Sequence, residues 1–388
     1  MKKINVLLAG IGGYGRGYLN EFLDGNDSSI VLKAVADPFA ASSPRFEELK
    51  ARNIPVFQSP VDFFAEKRVS DEAIDLTVIS SPIHTHYPYI LACKKNRSHV
   101  LCEKPVTGSL GELDELMAKE KETGLFVSVG FQLCFSGGTL ALKKDILDGV
   151  FGRPLEFKAL KLPRRGTKYY QRNGWAGKLS FEGSSILDSP LQNACSHDIQ
   201  VMLFLLGDRM RTSVPVESVT AETWQGRPDI ENYDAAALRL KAAGGLKIHF
   251  YTAHCVEENT KSTGEFRFEN AVVKWTESEE SVFTACFNDG RVKSYEGFES
   301  KRQYQKIYNT IDAIRSGIPP VCTLETVRPH LQCVTMVQQQ PIIKVPAEKI
   351  SMVNLADGDS FYYVPGLAEA FLSAYEKDAM PSEIGFIC

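Results

Sequence analysis

Lys104 and His197 are the two side chains best placed to move a proton. Lys104 stands in Glu103-Lys104-Pro105, directly after the apolar run Ser98-His99-Val100-Leu101-Cys102. A charged pair at the mouth of a buried strand lies where open α/β sheets take their ligands. Such a lysine either reaches over a bound molecule or is a solvated loop residue, and the tripeptide alone does not choose. His197 follows Asn193 by one helical turn, so the two share a face if the turn is helical. A histidine held by a neighbour is the usual general acid/base near neutral pH. A histidine that merely packs at a helix start is the plainer alternative.

A third chemistry-bearing stretch lies near the start of the chain. Apolar Ile4 to Ala9 runs into Gly10-Ile11-Gly12-Gly13-Tyr14-Gly15, and a helical stripe of Tyr18, Leu19, Phe22 and Leu23 follows. Gly10 suits a tight turn, Gly12 lets a pyrophosphate approach the backbone, and Gly15 lets the helix pack on the strand. The helix N-terminus then offers unpaired N–H groups to phosphate. A second strand, Ile30 to Ala36, ends in Asp37. A carboxylate there accepts both ribose hydroxyls of an adenosine and repels a 2′-phosphate, which favours NAD over NADP. Arg45, close by in sequence, works against that preference.

These residues need a scaffold, and the pattern supplies one. Strands are predicted at Ile54 to Phe57, Asp75 to Ser80, Ser98 to Cys102 and Leu125 to Gly130, with helices at Pro88 to Asn96 and Leu110 to Thr123. Alternation of this kind means a parallel, doubly wound sheet over residues 1–131. The loop from Ser80 to His86 leaves its strand at the same crevice, and His86 is expected to contact the cofactor there. After a bridging helix near Thr139 to Asp148, residues 132–388 change texture. Seven candidate strands between Leu155 and Phe287 mostly alternate polar and apolar, as in Lys247, His249 and Tyr251 against Ile248, Phe250 and Thr252. That pattern predicts an α+β domain whose open, mainly antiparallel sheet is covered on one face. Helical stripes at Tyr304 to Ile314 and Leu324 to Val334 read as core packing.

Composition bounds the partners. At 388 residues the chain suits two domains, and a net charge of −4 argues against nucleic acid or anionic membrane. The apolar run at the N-terminus is too short for a signal peptide, and no stretch approaches the roughly 18 apolar residues that span a bilayer. The nine cysteines are odd in number and form no Cys-x-x-Cys pair. They read as free thiols in a reducing cytoplasm, with no metal site.

Gly10-x-Gly12-x-x-Gly15, Ala36-Asp37-Pro38, Ser81-Pro82-x-His84-x-His86 and Glu103-Lys104-Pro105 occur in order and in register. Together they resemble the Gfo/Idh/MocA oxidoreductases, which include glucose–fructose oxidoreductase and inositol dehydrogenase. The resemblance implies an N-terminal Rossmann domain and a C-terminal domain that binds substrate and mediates homodimer or homotetramer contacts. It places Lys104 near the nicotinamide and the reacting hydroxyl, often beside a cis bond to proline, here Pro105. The implied cofactor set is Gly10, Ile11, Gly12, Gly13, Tyr14, Gly15, Asp37, Ser81, Pro82, His86, Glu103, Lys104 and Gln132.

Members of that family carry an aspartate four residues before a histidine, itself ten before a helix-closing glycine. His197 and Gly207 fit this register, but Asn193 stands at the aspartate position and Gln200 at a later one. The expected catalytic residues are therefore Lys104, His197 and Asn193, with Asp188 or Asp198 as alternative partners of the histidine. The run from Lys158 to Trp175 interleaves six cations with three aromatics. It is either a solvated loop or a rim for a sugar, in which case Arg165, Tyr170, Trp175 and Asp188 would touch substrate. The implied activity is NAD-dependent oxidation of a secondary hydroxyl of a sugar, cyclitol or polyol. The rivals are redox-assisted glycoside cleavage or elimination and a non-catalytic dinucleotide sensor.

Overall fold

A computed structural model describes residues 2–66, 73–277, 282–297 and 303–386. The chain forms two compact units: Met1–Phe135 with Lys301–Val327, and Ser136–Ser300 with Arg328–Cys388. The expected single boundary after residue 131 is thereby corrected, because the segment after residue 300 returns to the first unit. Its apolar stripe explains the return, since Ile307 and Ile311 belong to the same buried cluster as Val6, Leu8, Leu76 and Val78.

The first unit is built on β1 (Ile4–Ala9), β2 (Ile30–Ala36), β3 (Val56–Phe57), β4 (Leu76–Ile79), β5 (His99–Cys102) and β6 (Val127–Val129), all parallel, in the order β3-β2-β1-β4-β5-β6. This is the doubly wound order whose direction reverses between β1 and β4, leaving a crevice at the strand ends. The connections are α1 (Gly15–Asp24), α2 (Phe46–Ala51), α3 (Pro60–Ala65), α4 (His86–Lys95) and α5 (Leu110–Thr123). Local chemistry sets their limits. Ser109 caps α5 by accepting the Glu112 N–H, and Gly124 closes it in the left-handed region at φ 68°.

In the second unit, α6 (Gly137–Leu147) precedes a nine-stranded sheet. The strands are β7 (Pro154–Lys161), then, after α7 (Thr167–Tyr170), a small hairpin of β8 (Ser180–Phe181) and β9 (Ser184–Ser185), and α8 (Ser196–Leu205), β10 (Val216–Gln225), β11 (Ala235–Ala242), β12 (Leu246–Ala253), β13 (Thr263–Phe268), β14 (Ala271–Thr276), β15 (Phe283–Phe287), β16 (Val292–Tyr295) and β17 (Ile342–Lys344). The sheet order is β16-β15-β14-β13-β7-β12-β11-β10-β17, antiparallel except where β7 meets β12 and β10 meets β17. After α9 (Gln305–Ser316), α10 (Leu324–Gln338) carries the chain back to this unit, which ends with the hairpin β18 (Ser351–Asn354) and β19 (Ser360–Tyr363) and then α11 (Leu367–Lys377).

Two features differ from the alternation pattern. Edge strands β16 and β17, of four and three residues, are too short to stand out in sequence. Central strand β12 is buried on both faces, with His249 2% and Tyr251 0% exposed. The Tyr251 hydroxyl donates to the carbonyls of Ala374 and Ala379 at 3.2 and 2.6 Å, so polar atoms of the strand's second face are satisfied under α11 instead of in water. Among the described residues no helix is long and apolar enough to cross a membrane.

Candidate functional site

In the first unit the loops after β1, β2, β4 and β5 leave from the same edge of the parallel sheet. Gly10 has φ 83°, and a Cβ there would lie 2.7 Å from the Ser80 carbonyl oxygen. A Cβ on Gly15 would lie 2.1 Å from the Gly10 carbonyl oxygen. Both glycines are thus required by the protein's own backbone. Gly12 is different, since a Cβ there meets nothing within 4 Å, and neither does one on Gly13. The turn keeps open space at the two glycines that face away from the fold. A dinucleotide pyrophosphate fits that cradle, at the N-terminus of α1.

Asp37 is organised by the same turn. Its Oδ2 accepts the Ile11 N–H at 2.8 Å and its Oδ1 accepts the Phe39 N–H at 2.7 Å. Both oxygens retain lone pairs for ribose hydroxyls. Ile11 is 2% exposed and its N–H is spent on Asp37, so Ile11 supports the cradle from below. Arg45 forks the Asp24 carboxylate at 2.6 and 2.7 Å while its Nε donates to Glu48 at 2.8 Å. Its guanidinium is fully engaged away from Asp37.

The Lys104–Pro105 peptide is cis. Lys104 itself is half-buried, whereas its neighbour Glu103 turns inward. Glu103 Oε1 accepts from the Tyr18 hydroxyl at 2.6 Å and pairs with the Lys306 ammonium, whose side chain is fully buried. Oε2 faces the Lys104 N–H at 3.3 Å. Lys306 also donates to the Tyr14 hydroxyl at 3.1 Å. Burial pulls the Lys306 ammonium below its usual range and Glu103 pulls it back. The Glu103 carboxylate anchors the lysine-bearing turn through these partners. Lys306 was legible only as one cation inside an apolar stripe.

His86 is held between two loops of the same unit. It is 1% exposed, with Nδ1 2.9 Å from the Pro105 carbonyl and Nε2 2.9 Å from the Ser81 carbonyl. Burial holds its pKa below the ordinary histidine value, against the two carbonyls that favour the charged ring. The imidazole therefore ties the loop after β4 to the turn after β5. Ser81 and Pro82 remain at the crevice, with Ser81 Oγ 2.6 Å from Thr85 Oγ1. Tyr14 is 38% exposed and its ring packs edge-on against Tyr18. Gln132 is half-buried in the single turn that follows β6.

In the second unit, α8 is buried at every position except His197. An apolar helix sealed all round, with one histidine at its first turn reaching an accessible edge, singles that residue out. Asn193 lies in the preceding turn, with its N–H on the Ser189 carbonyl at 3.0 Å and its side-chain amide donating to Asp188 Oδ1 at 2.8 Å. Asp188 is 3% exposed, and its Oδ2 accepts the Gly177 N–H at 2.7 Å. Leu187 precedes it at φ 53°, a left-handed conformation rare for a branched side chain, and this turns the carboxylate inward. Asp198 is 2% exposed and pairs with Lys161 at 3.2 Å. Burial raises its carboxyl above the usual range against that cation. Neither aspartate is spare: Asp198 is committed to Lys161, and Asp188 to Asn193. Gln200 is buried and donates to Ser213 Oγ at 3.3 Å.

The basic run divides. Lys158 pairs with Asp378 at 2.7 Å, Arg164 bonds the Glu257 carbonyl at 2.8 Å, and Lys168 bonds the Asp357 carbonyl at 2.9 Å. Arg165 and Arg172 instead lie over the ring of Tyr169, at 5.0 and 3.8 Å from its centre, and Arg172 also lies 4.9 Å from Trp175. The Tyr170 hydroxyl lies 2.8 Å from His254 Nδ1, and Asp188 is buried as above. These two brace the segment through protein partners.

Fold and cradle together define a dinucleotide-binding Rossmann domain joined to an α+β unit. Residues 4–131 match the oxidoreductase family with NAD-binding Rossmann fold, the Gfo/Idh/MocA family. The match covers the first unit's sheet and is to that family's NAD-binding domain. It is 31% identical to inositol 2-dehydrogenase of Rubrobacter xylanophilus over 247 residues, which is 63% of each chain. It is 29% identical to myo-inositol 2-dehydrogenase of Thermotoga maritima over 180 residues, 46% of this chain and 50% of that one. The chain thus spans only about half to two thirds of the lengths of these relatives. The solved WlbA dehydrogenase of Bordetella pertussis, a complex with NADH and UDP-GlcNAcA, shares the fold with a TM-score of 0.68 at 20% identity, over 87% of this chain and 96% of that one.

Proposed function

We propose that this protein is an NAD-dependent dehydrogenase acting on a secondary hydroxyl of a sugar, cyclitol or related polyol. The observation that carries the reading is the open cradle at Gly12 and Gly13, in a sheet that also presents Asp37 and Lys104 at its strand ends. The inositol dehydrogenases among its relatives support the substrate class. When bound, the nicotinamide dinucleotide supplies the two-electron chemistry at the substrate carbon. The cradle N–H groups hold pyrophosphate and Asp37 takes the ribose hydroxyls. Engagement of Arg45 with Asp24 and Glu48 leaves no guanidinium fork for a 2′-phosphate, which supports NAD over NADP.

Lys104 is assigned to hold the substrate hydroxyl and to favour the alkoxide by its charge. His197 is assigned the hydroxyl proton, with Asn193 positioned by Asp188. Burial of seven of the eight described free cysteines supports a reducing compartment such as the cytoplasm. Exposed Val292 and Ile343 on the edge strands support a homodimer or homotetramer. The test is a panel of cyclitols, aldoses and alditols with NAD or NADP, followed by nicotinamide absorbance. Turnover with NAD, and at least about tenfold higher kcat/KM than with NADP, is expected. Preference for NADP, or no reduction of either, would refute it.

A further inference from the structure

We propose that the substrate carries an anionic group, a carboxylate or a phosphate oxygen, received by Arg165 with the rings of Tyr169 and Trp175 beside it. This rests on the dehydrogenase reading for the reaction, but its recognition chemistry is independent of turnover. Around this part of the second unit Lys161 pairs with Asp198 at 3.2 Å, Arg172 with Asp188 at 3.7 Å, and Arg227 with Asp229 at 2.6 Å. Among the described residues Arg165 pairs with no carboxylate. Its backbone N–H bonds the His254 carbonyl at 3.2 Å and its guanidinium lies against Tyr169, but its buried Nε has no acceptor among the described residues. The buried indole N–H of Trp175 also has none.

A buried donor without an acceptor is costly, and more so if charged, so these two call for an acceptor from outside. Guanidinium forks carboxylate or phosphate through two parallel N–H bonds, and the ring faces suit a sugar's C–H surface. Tyr169 is fixed for that purpose, because Arg172 donates to its carbonyl at 2.6 Å and covers its ring. The nearby carboxylate of Asp188 is already occupied by Gly177, Asn193 and Arg172, so it offers little repulsion.

The same arginine lies close to the helix that bears His197. Cys195 caps α8, and burial pushes its thiol up to about 11 while Lys161 and Arg165 pull it down. Arg165 and α8, which carries the proposed base, belong to the same unit.

The experiment is calorimetry on the full chain saturated with NAD, titrated with glucose, glucuronate, glucose phosphate and UDP-glucose. At least one anion is expected to bind about tenfold or more tightly than glucose, and which one does so separates carboxylate, phosphate monoester and nucleotide diphosphate as the source. R165Q should bring that ligand to within about threefold of glucose, and R165K, which keeps charge but not the fork, should fall between. Retained NAD affinity and circular dichroism establish that the variants fold. Equal binding of glucose and all three anions, or undiminished preference in R165Q, overturns the proposal. Anion preference without NADH formation would sink the dehydrogenase reading alone. NADH formation from neutral polyols with no anion preference would sink this inference alone.

Discussion

Asp188 accepts the side-chain amide of Asn193 at 2.8 Å, which settles which end of that amide is committed. The nitrogen is the end that faces the aspartate. It also explains why asparagine suits a position where the resemblance led one to expect aspartate: a second carboxylate would confront the first. N193D should therefore destabilise the second unit by about 2 kcal/mol above neutral pH, with relief in acid as the pair takes up a proton. The exchanged double variant N193D/D188N should recover most of the loss. Thermal unfolding at two pH values checks this, and an N193D variant as stable as wild type at both would exclude the repulsion.

Gly12 and Gly15 separate ligand space from protein space. G12A should fold with an unchanged melting temperature yet bind NAD at least about tenfold more weakly, since only the cofactor meets the new methyl. G15A should lose stability instead, because its Cβ would lie 2.1 Å from the Gly10 carbonyl oxygen. Melting curves with and without NAD distinguish the two, and equal behaviour of the variants would contradict the division.

Lys306 is fully buried against Glu103, the residue before the catalytic candidate. K306M leaves that carboxylate with Tyr18 but without its cation. Breaking a buried pair from one side costs roughly 3–5 kcal/mol, so the first unfolding transition should shift markedly downward. A K306M protein with wild-type melting would mean that the pair contributes nothing.

Glu120 offers a pH signature in the first unit. Burial pushes its carboxyl from 4.5 up to about 7, although Lys94 and the Val127 N–H pull it down. A folded-state pKa above the unfolded value gives stability that is complete below about 4.5 and lost as pH rises through about 7. E120Q removes that loss, so its advantage over wild type should grow by on the order of 2 kcal/mol from about pH 5 to about pH 8. Denaturant titrations at those pH values measure it. A constant difference would contradict the assignment.

The elements of the Rossmann sheet were legible because each strand is a short apolar run with turn residues at its end. The glycine spacing, Asp37 and the Lys104–Pro105 turn were legible because their chemistry is local. What was hidden depends on partners distant in sequence. Glu103 and His86 look like crevice residues until Lys306, Tyr18 and the carbonyls of Ser81 and Pro105 claim their polar atoms. The second face of β12 looks solvated because His249 and Tyr251 are polar, yet α11 supplies carbonyls that let Tyr251 be buried. The return of α9 to the first sheet had a visible signal, its apolar stripe, but a stripe names no destination.

The most direct test is K104A, assayed for NAD binding by fluorescence titration and for NADH formation with whichever polyol the wild type oxidises. NAD affinity within about threefold of wild type, with turnover reduced at least about a thousandfold, is the predicted result. Unchanged turnover would contradict the role given to Lys104, and loss of NAD binding together with turnover would make it a structural residue of the turn.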